Sequence, residues 1–167
     1  SYNLPSFLQE DDCRAVAICD VMKDRLHAAK EIVDKHNGDT ACKTYSDFRD
    51  LLADKDIDGV VISAPDHWHV TMAILGIRAG KKVFCEKPTL TIGEGQELLK
   101  AVKNHDAVFA TGLEDRSVTH YHKMAEAVRN GAIGELRYIS VGLPIKPIFP
   151  SLDPAPVPDG LDFDLWL

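Results

Sequence analysis

A Glu-Lys-Pro turn, Glu86-Lys87-Pro88, places two ionisable side chains directly before a proline. It follows the strand-like run at residues 82–85. A desolvated lysine in such a turn can shuttle the proton that accompanies hydride removal from a carbinol carbon, and the neighbouring carboxylate can hold a ribose or the nicotinamide side. We therefore take Lys87 as the candidate catalytic residue and Glu86 as a candidate cofactor-binding residue. The alternative is a surface ion pair at a turn.

A single carboxylate, Asp20, ends the strand-like run at residues 14–19 and precedes a helical stretch. In dinucleotide-binding folds an acidic residue in this place accepts both hydroxyls of the adenosine ribose, and it disfavours the 2′-phosphate of NADP. The alternative is that Asp20 caps the following helix. The glycine-rich GxGxxG turn expected about twenty residues earlier is not found among residues 1–19.

Small and polar residues follow the apolar run at residues 59–63, in the order Ser63-Ala64-Pro65-Asp66-His67-Trp68-His69. Open α/β sheets bind their ligands at the carboxyl ends of the strands. Four of these residues are therefore candidate cofactor-binding residues: Ser63, Pro65, Asp66 and His69. One alternative is that Pro65 and Asp66 only start a helix. Another is that His67 and His69 bind a metal, but residues two apart on a helix do not face each other, so no metal site is predicted.

Arg116 follows the strand-like run at residues 107–111 and is a further candidate contact for the cofactor or another anion.

The elements that must position these residues alternate in type from Cys13 to Gly112. Short runs rich in Val, Ile and Phe predict strands, and between them apolar residues recur at helical spacing. This rhythm is typical of a parallel sheet covered by helices, in which residues 59–63 (GVVIS) form a strand buried on both faces. The predicted fold class is α/β, with a Rossmann-like doubly wound parallel sheet.

The pattern changes near Gly134. Residues 136–142 (LRYISVG) predict one more strand, and residues 144–158 are rich in proline and lack periodicity. We therefore expect two domains: an incomplete NAD(P)-binding domain at residues 1–134, and the start of a second α+β domain at residues 135–167.

Composition narrows the class of partner. The 167-residue chain has a formal net charge of −7 without clustered Lys and Arg, which argues against nucleic acid as a partner. No segment approaches the ~18 apolar residues of a membrane span. Four cysteines without a CxxC pair favour buried thiols over disulfides or metal ligands. A small-molecule partner and a cytoplasmic location are expected, with export left open because the chain opens inside a structural unit.

Taken together, these motifs resemble those of the Gfo/Idh/MocA oxidoreductases, the glucose–fructose oxidoreductase and inositol dehydrogenase type. The Glu86-Lys87-Pro88 turn is similar to that family's hallmark, and Asp20 looks like its acidic ribose-binding residue. Further similarities lie in the turn Pro65-Asp66-His67-Trp68-His69, in Arg116, in residues 130–134 (NGAIG) and in residues 160–166 (GLDFDLW).

The resemblance implies hydride transfer between NAD(P) and a carbinol of a sugar or cyclitol. It implies NAD as the cofactor ahead of NADP, Lys87 as a catalytic or proton-relay residue, and a nicotinamide dinucleotide and a sugar-like substrate as partners. The alternative is a non-catalytic nucleotide- or sugar-binding module, or a structural partner, derived from that family.

The resemblance also implies a chain truncated at both ends. The family's first strand and glycine-rich loop are expected directly before Ser1, and in the strand order 3-2-1-4-5-6 that strand lies between residues 14–19 and residues 59–63. We therefore expect an open slot in the sheet, no catalytic activity of the fragment alone, and closure of the slot by non-native pairing, by a strand from a second copy in a homo-oligomer, or by aggregation.

Overall fold

A computed structural model describes residues 3–142 and 153–167 of the chain. Strands and helices alternate along most of this part. The strands are β1 (Ala17–Cys19), β2 (Lys43–Tyr45), β3 (Gly59–Ile62), β4 (Lys82–Glu86) and β5 (Phe109–Gly112). The helices are α1 (Asn3–Phe7), α2 (Lys23–Asn37), α3 (Phe48–Ala53), α4 (Asp66–Arg78), α5 (Ile92–Asn104), α6 (Thr119–Arg129) and α7 (Phe163–Trp166).

The strands form two parallel groups, which confirms the predicted α/β class. In one group β1 pairs with β2, and in the other β4 lies between β3 and β5. The register of the larger group aligns Ile62 with Cys85 and Glu86 with Gly112. Among the described residues no strand joins β1 to β3, so the expected slot lies between the two groups.

The larger core lies between the β3-β4-β5 group and two helices, α4 and α5. Its buried members are mostly aliphatic: Ile62, Val70, Ala73, Ile77, Val83, Cys85, Leu98 and Ala101. Helix α4 approaches the sheet closely at Gly76, where an added Cβ would lie 3.2 Å from Cγ2 of Val83. A residue without a side chain therefore lets this helix reach the sheet.

A smaller core joins α1 to the β1-β2 group. Leu8, Val33 and Cys42 are buried there. On its other side, α1 contacts the larger sheet, because the ring of Phe7 meets the ring of Phe84 edge-on at 5.2 Å between centroids. The N-terminal helix thus packs against both groups of strands.

Local sequence signals explain where the principal helices begin and end. Helix α2 ends before Gly38, whose φ of 72° is the left-handed conformation that glycine adopts readily. Helix α5 begins with a capping box, in which Thr91 accepts from the amide of Glu94 while the Glu94 carboxylate accepts from the amide of Thr91.

Two local expectations differ from the structure. Strand β1 begins at Ala17 rather than at residue 14. Val61 is 44% exposed, although its strand was expected to be buried on both faces. It pairs with Phe84 on the face opposite the α4-α5 core. The five-residue α1 meets this face at Phe84, through the ring of Phe7.

Residues 113–156 form a second compact unit, which contains a short 3-10 helix, Glu114–Arg116, and α6. The strand predicted at residues 136–142 is wrong, because these residues are irregular and exposed. A strand needs a neighbour for its backbone hydrogen bonds, and no strand in the described part pairs with this segment. The domain boundary near Gly134 stays a prediction. Within the described ranges, no helix has the length and apolarity needed to cross a bilayer.

Candidate functional site

The candidate residues of the first unit lie at or just after the carboxyl ends of strands in both parallel groups. Asp20 comes directly after β1, Ser63 directly after β3, and Glu86 is the last residue of β4. Within each group, the parallel strands place their carboxyl ends at one edge, and open α/β sheets bind ligands at such an edge. We call residues 20–22, 63–66 and 86–88 the rim.

Asp20 shapes its own turn. Its Oδ1 accepts from the amide of Met22 at 2.8 Å, and its own amide donates to the carbonyl of Tyr45 at 3.3 Å. The N-cap of α2 is Met22 and not Asp20. The carboxylate therefore stabilises the turn between β1 and α2 instead of capping the helix itself, and it lies half-buried at the rim.

The ends of β3 and β4 are linked by a residue that the sequence did not reveal. Asn3 Nδ2 donates to Ser63 Oγ and to Glu86 Oε1, both at 2.8 Å. Gly112 leaves room for the Glu86 carboxylate, since an added Cβ would lie 2.7 Å from Glu86 Oε1. Asn3 thus holds Glu86 at the edge of the sheet, in a space that Gly112 leaves open.

His69 is buried beneath the rim with 2% of its surface exposed. Its Nε2 lies 2.8 Å from the carbonyl oxygen of Ala64, and its Nδ1 lies 3.0 Å from that of Pro88. Carbonyl oxygens only accept hydrogen bonds, so a neutral ring donates to one of them at a time. The ring of His69 therefore lies between the turn after β3 and the turn after β4 and is in hydrogen-bonding distance of both. Its predicted contact with the cofactor stays a prediction.

The remaining predicted residues of this unit are exposed: Pro65, Asp66 and Lys87. Asp66 begins α4, with Pro65 as its N-cap. This placement agrees with the expectation that the pair starts a helix, and it also puts the Asp66 carboxylate at the rim. Lys87 directly follows β4 and is exposed. Its ammonium group is therefore free to contact a ligand that binds at the rim.

Two aromatic side chains near the rim hold a segment from much later in the chain. His67 Nε2 and Trp68 Nε1 both donate to the carbonyl oxygen of Trp166, at 2.8 Å and 2.9 Å. The rings of His67 and His69 thus contact different partners. The described residues contain no group of three or more His, Cys, Asp or Glu side chains suited to a metal ion.

Arg116 lies in the second compact unit, in the short 3-10 helix, and its side chain is exposed. Its contact with a cofactor or another anion stays a prediction.

Two cysteines at the strand ends are poor nucleophiles. Burial, reinforced by the carboxylate of Asp20, raises the pKa of Cys19 to about 12. Burial and the carboxylate of Glu86 raise the pKa of Cys85 to about 11. All four cysteines are free thiols, and Cys42 is buried as well. Because the thiolate is the reactive form, Cys19 and Cys85 act as packing residues at neutral pH.

Comparison with known proteins identifies the family of this chain. Residues 1–113 match the model of an oxidoreductase family with an NAD-binding Rossmann fold, GFO_IDH_MocA. The chain belongs to this family.

Its relatives include inositol dehydrogenases. The chain is 32% identical over 149 residues to a myo-inositol 2-dehydrogenase of Thermotoga maritima, which covers 89% of the chain and 40% of that protein. It is 34% identical over 122 residues to an inositol 2-dehydrogenase of Salmonella typhimurium, and the match covers 72% of the chain and 35% of that protein. The chain thus spans about two fifths of the length of these relatives.

Solved structures give the same result. The structure of myo-inositol 2-dehydrogenase from Lactobacillus plantarum superposes with a TM-score of 0.70 at 30% identity, over 79% of this chain and 38% of that one. A scyllo-inositol dehydrogenase from Lactobacillus casei, determined with NAD(H) and scyllo-inositol, also gives a TM-score of 0.70, at 25% identity and with the same coverage of both chains.

The side chains at the rim fit part of a dinucleotide. Carboxylates accept hydrogen bonds from ribose hydroxyls, and Asp20, Asp66 and Glu86 all follow strand ends. The pyrophosphate needs backbone amides at a glycine-rich turn before a helix, and no glycine lies between residues 1 and 37. The described residues therefore suit the two nucleoside ends better than the phosphates.

Proposed function

We propose that this chain supplies the nucleotide side of an NAD(P)-dependent oxidoreductase that transfers hydride to or from a carbinol carbon of a sugar or cyclitol. The supporting observation is that Asp20 and Ser63 directly follow β1 and β3, and Glu86 ends β4, so that each lies at the carboxyl end of a strand in a parallel group. The substrate class is proposed from those relatives that are inositol dehydrogenases.

Several residues of the rim have a role in this proposal. The Asp20 carboxylate accepts the hydroxyls of the adenosine ribose, which favours NAD over NADP. The turn with Ser63, Pro65 and Asp66 lies beside the nucleotide, and Glu86 orients the ribose on the nicotinamide side. Arg116, which belongs to the second unit, is a candidate contact for an anion.

The proton is handled by Lys87. The nicotinamide ring, when bound, accepts or donates the hydride. In the oxidative direction Lys87 takes the proton of the carbinol hydroxyl, and in the reductive direction it returns one. His69 acts indirectly, because its two backbone contacts fix the turn that carries Lys87.

We further propose that the 167 residues alone bind the nucleotide weakly and do not turn over substrate. The support is twofold: the chain spans about two fifths of its relatives, and no glycine-rich turn precedes Asp20. Weak binding in the millimolar range corresponds to about −4 kcal/mol, which two or three charge-assisted hydrogen bonds can supply.

Titration with NADH tests this proposal. The two tryptophans, Trp68 and Trp166, contact each other near the turn after β3. Bound nicotinamide should therefore quench their emission by energy transfer. Asp20→Ala should weaken the quenching, whereas Asp24→Ala, an acidic residue in the first turn of α2, should not. Identical curves for wild type and Asp20→Ala would refute the ribose assignment.

A further inference from the structure

Residues 160–166, which we call the clamp segment, contact the turn that carries Asp20. The amide of Lys23 donates to the carbonyl of Gly160 at 3.1 Å, and the amide of Asp162 donates to the carbonyl of Val21 at 3.0 Å. Between these two bonds, Leu161 pairs with Met22 in an antiparallel bridge. The clamp segment therefore extends the turn after β1 by one short antiparallel pairing.

The other end of the clamp segment contacts the turn after β3. The carbonyl of Trp166 accepts from both His67 and Trp68, and the Trp166 ring meets the His67 ring edge-on at 5.6 Å. The ring of Trp68 also packs edge-on against the ring of Phe48, with 5.6 Å between the ring centroids. Two donors on one carbonyl fix its position more strongly than one donor would.

Contacts within the clamp segment stabilise the part between these two ends. Asp162 caps α7, since its Oδ1 accepts from the amide of Leu165 at 3.1 Å. The rings of Phe163 and Trp166 are nearly parallel, at 10° and 5.8 Å between centroids. A displacement at Trp166 is therefore transmitted to Leu161 through one capped helical turn.

We propose that the clamp segment sets the position of the Asp20 turn relative to the turn after β3, with His67 and Trp68 as its positioning residues. The step that links the clamp to chemistry is the hydrogen bond from the amide of Met22 to Asp20 Oδ1, because Met22 is also the bridge partner of Leu161. This inference rests on the proposed function, in which Asp20 holds the adenosine ribose. Its consequence is that the preference for NAD over NADP depends on residues more than forty positions away from Asp20.

Amide exchange measured by NMR tests the inference without any ligand. Trp68→Phe removes one donor to the Trp166 carbonyl and keeps an aromatic ring against Phe48. The amides of Met22 and Lys23 should then exchange roughly tenfold faster, because their local opening becomes easier. Acceleration confined to the residues around Trp68 would overturn the inference.

A glycine pair supplies a second variant with a matched control. Gly160 and Gly134 both have left-handed backbones, with φ of 81° and 73°. Alanine carries the same backbone strain at both positions. Only Gly160 carries the carbonyl that accepts from Lys23. Gly160→Ala should accelerate exchange at Met22 and Lys23, and Gly134→Ala should not. Equal effects would mean that backbone strain, and not the clamp, is responsible.

Nucleotide selectivity separates this inference from the proposed function. In Trp68→Phe the affinity for NAD should fall roughly tenfold while that for NADP changes little, because the acidic residue acts on the 2′ position. General destabilisation would weaken both equally and would contradict a positioning role. Absence of NAD binding by the wild type would refute the proposed function, and the exchange data would still decide whether the clamp holds the Asp20 turn.

Discussion

Replacing His69 by leucine tests whether this buried ring ties two turns of the rim together. Leucine keeps apolar volume in the site but removes both ring nitrogens from the carbonyls of Ala64 and Pro88. Pro88 is exposed, so water can replace the donor at its carbonyl, whereas Ala64 is half-buried. The loss of stability therefore comes mainly from Ala64.

An unsatisfied buried acceptor costs about 1–3 kcal/mol, and this is the loss we expect for His69→Leu. That is a sizeable part of the ~5–15 kcal/mol that stabilises an ordinary domain. At this chain length it corresponds to a fall in melting temperature of roughly 2–4 °C per kcal/mol. His69→Gln retains an amide donor and should recover part of the loss.

The assay is urea unfolding followed by circular dichroism, with His27→Leu as the control because His27 is an exposed residue of α2. Exposed substitutions usually change stability by no more than about 0.5 kcal/mol. If His69→Leu costs no more than His27→Leu, then the two backbone contacts do not hold the rim and the reasoning is refuted.

Three further outcomes follow from other contacts. Lys43 donates to Asp54 and holds the pKa of that carboxyl well below its usual range. This stability is present above the unfolded pKa of about 3.9 and is lost as pH falls through the folded pKa, so Asp54→Asn should flatten the acid-denaturation curve below about pH 4. An unchanged curve would contradict the pairing. Alkylation of Cys19 at pH 8, followed by mass spectrometry, should be far slower than that of Cys13, because the pKa of Cys19 is raised to about 12; equal rates would contradict its burial. Gly76→Val should cost about 1–3 kcal/mol in urea unfolding because it crowds the α4-β4 contact, and no loss would show that the helix can move away.

Patterns confined to one element predicted most of the fold. The apolar runs at residues 59–63 and 82–85 became β3 and β4, and the intervening helical spacing became α4. A continuous run of apolar residues forms a strand that a helix can pack against. These elements could therefore be predicted from the local sequence. The same signals placed Asp20, Ser63 and Glu86 at strand ends.

Features that depend on distant partners could not be predicted in this way. Asn3 contacts residues that lie 60 and 83 positions away, and no local pattern signals such a pairing. The apolar residues at 136–142 indicated a strand, but strand formation needs a neighbour that the local sequence does not specify. The run at residues 160–166 resembles a segment of the family, but its contact with Trp68 depends on the fold and not on the local sequence.

The central claim is that the turns after β1, β3 and β4 converge on one nucleotide. Titration of the isotope-labelled chain with NAD, followed by NMR, tests it most directly and detects millimolar binding. We predict that the amides of Asp20, Asp66 and Lys87 shift together and saturate with one dissociation constant, which Asp20→Ala raises. Separate dissociation constants for the three turns, or no shift in them at millimolar NAD, would contradict the account.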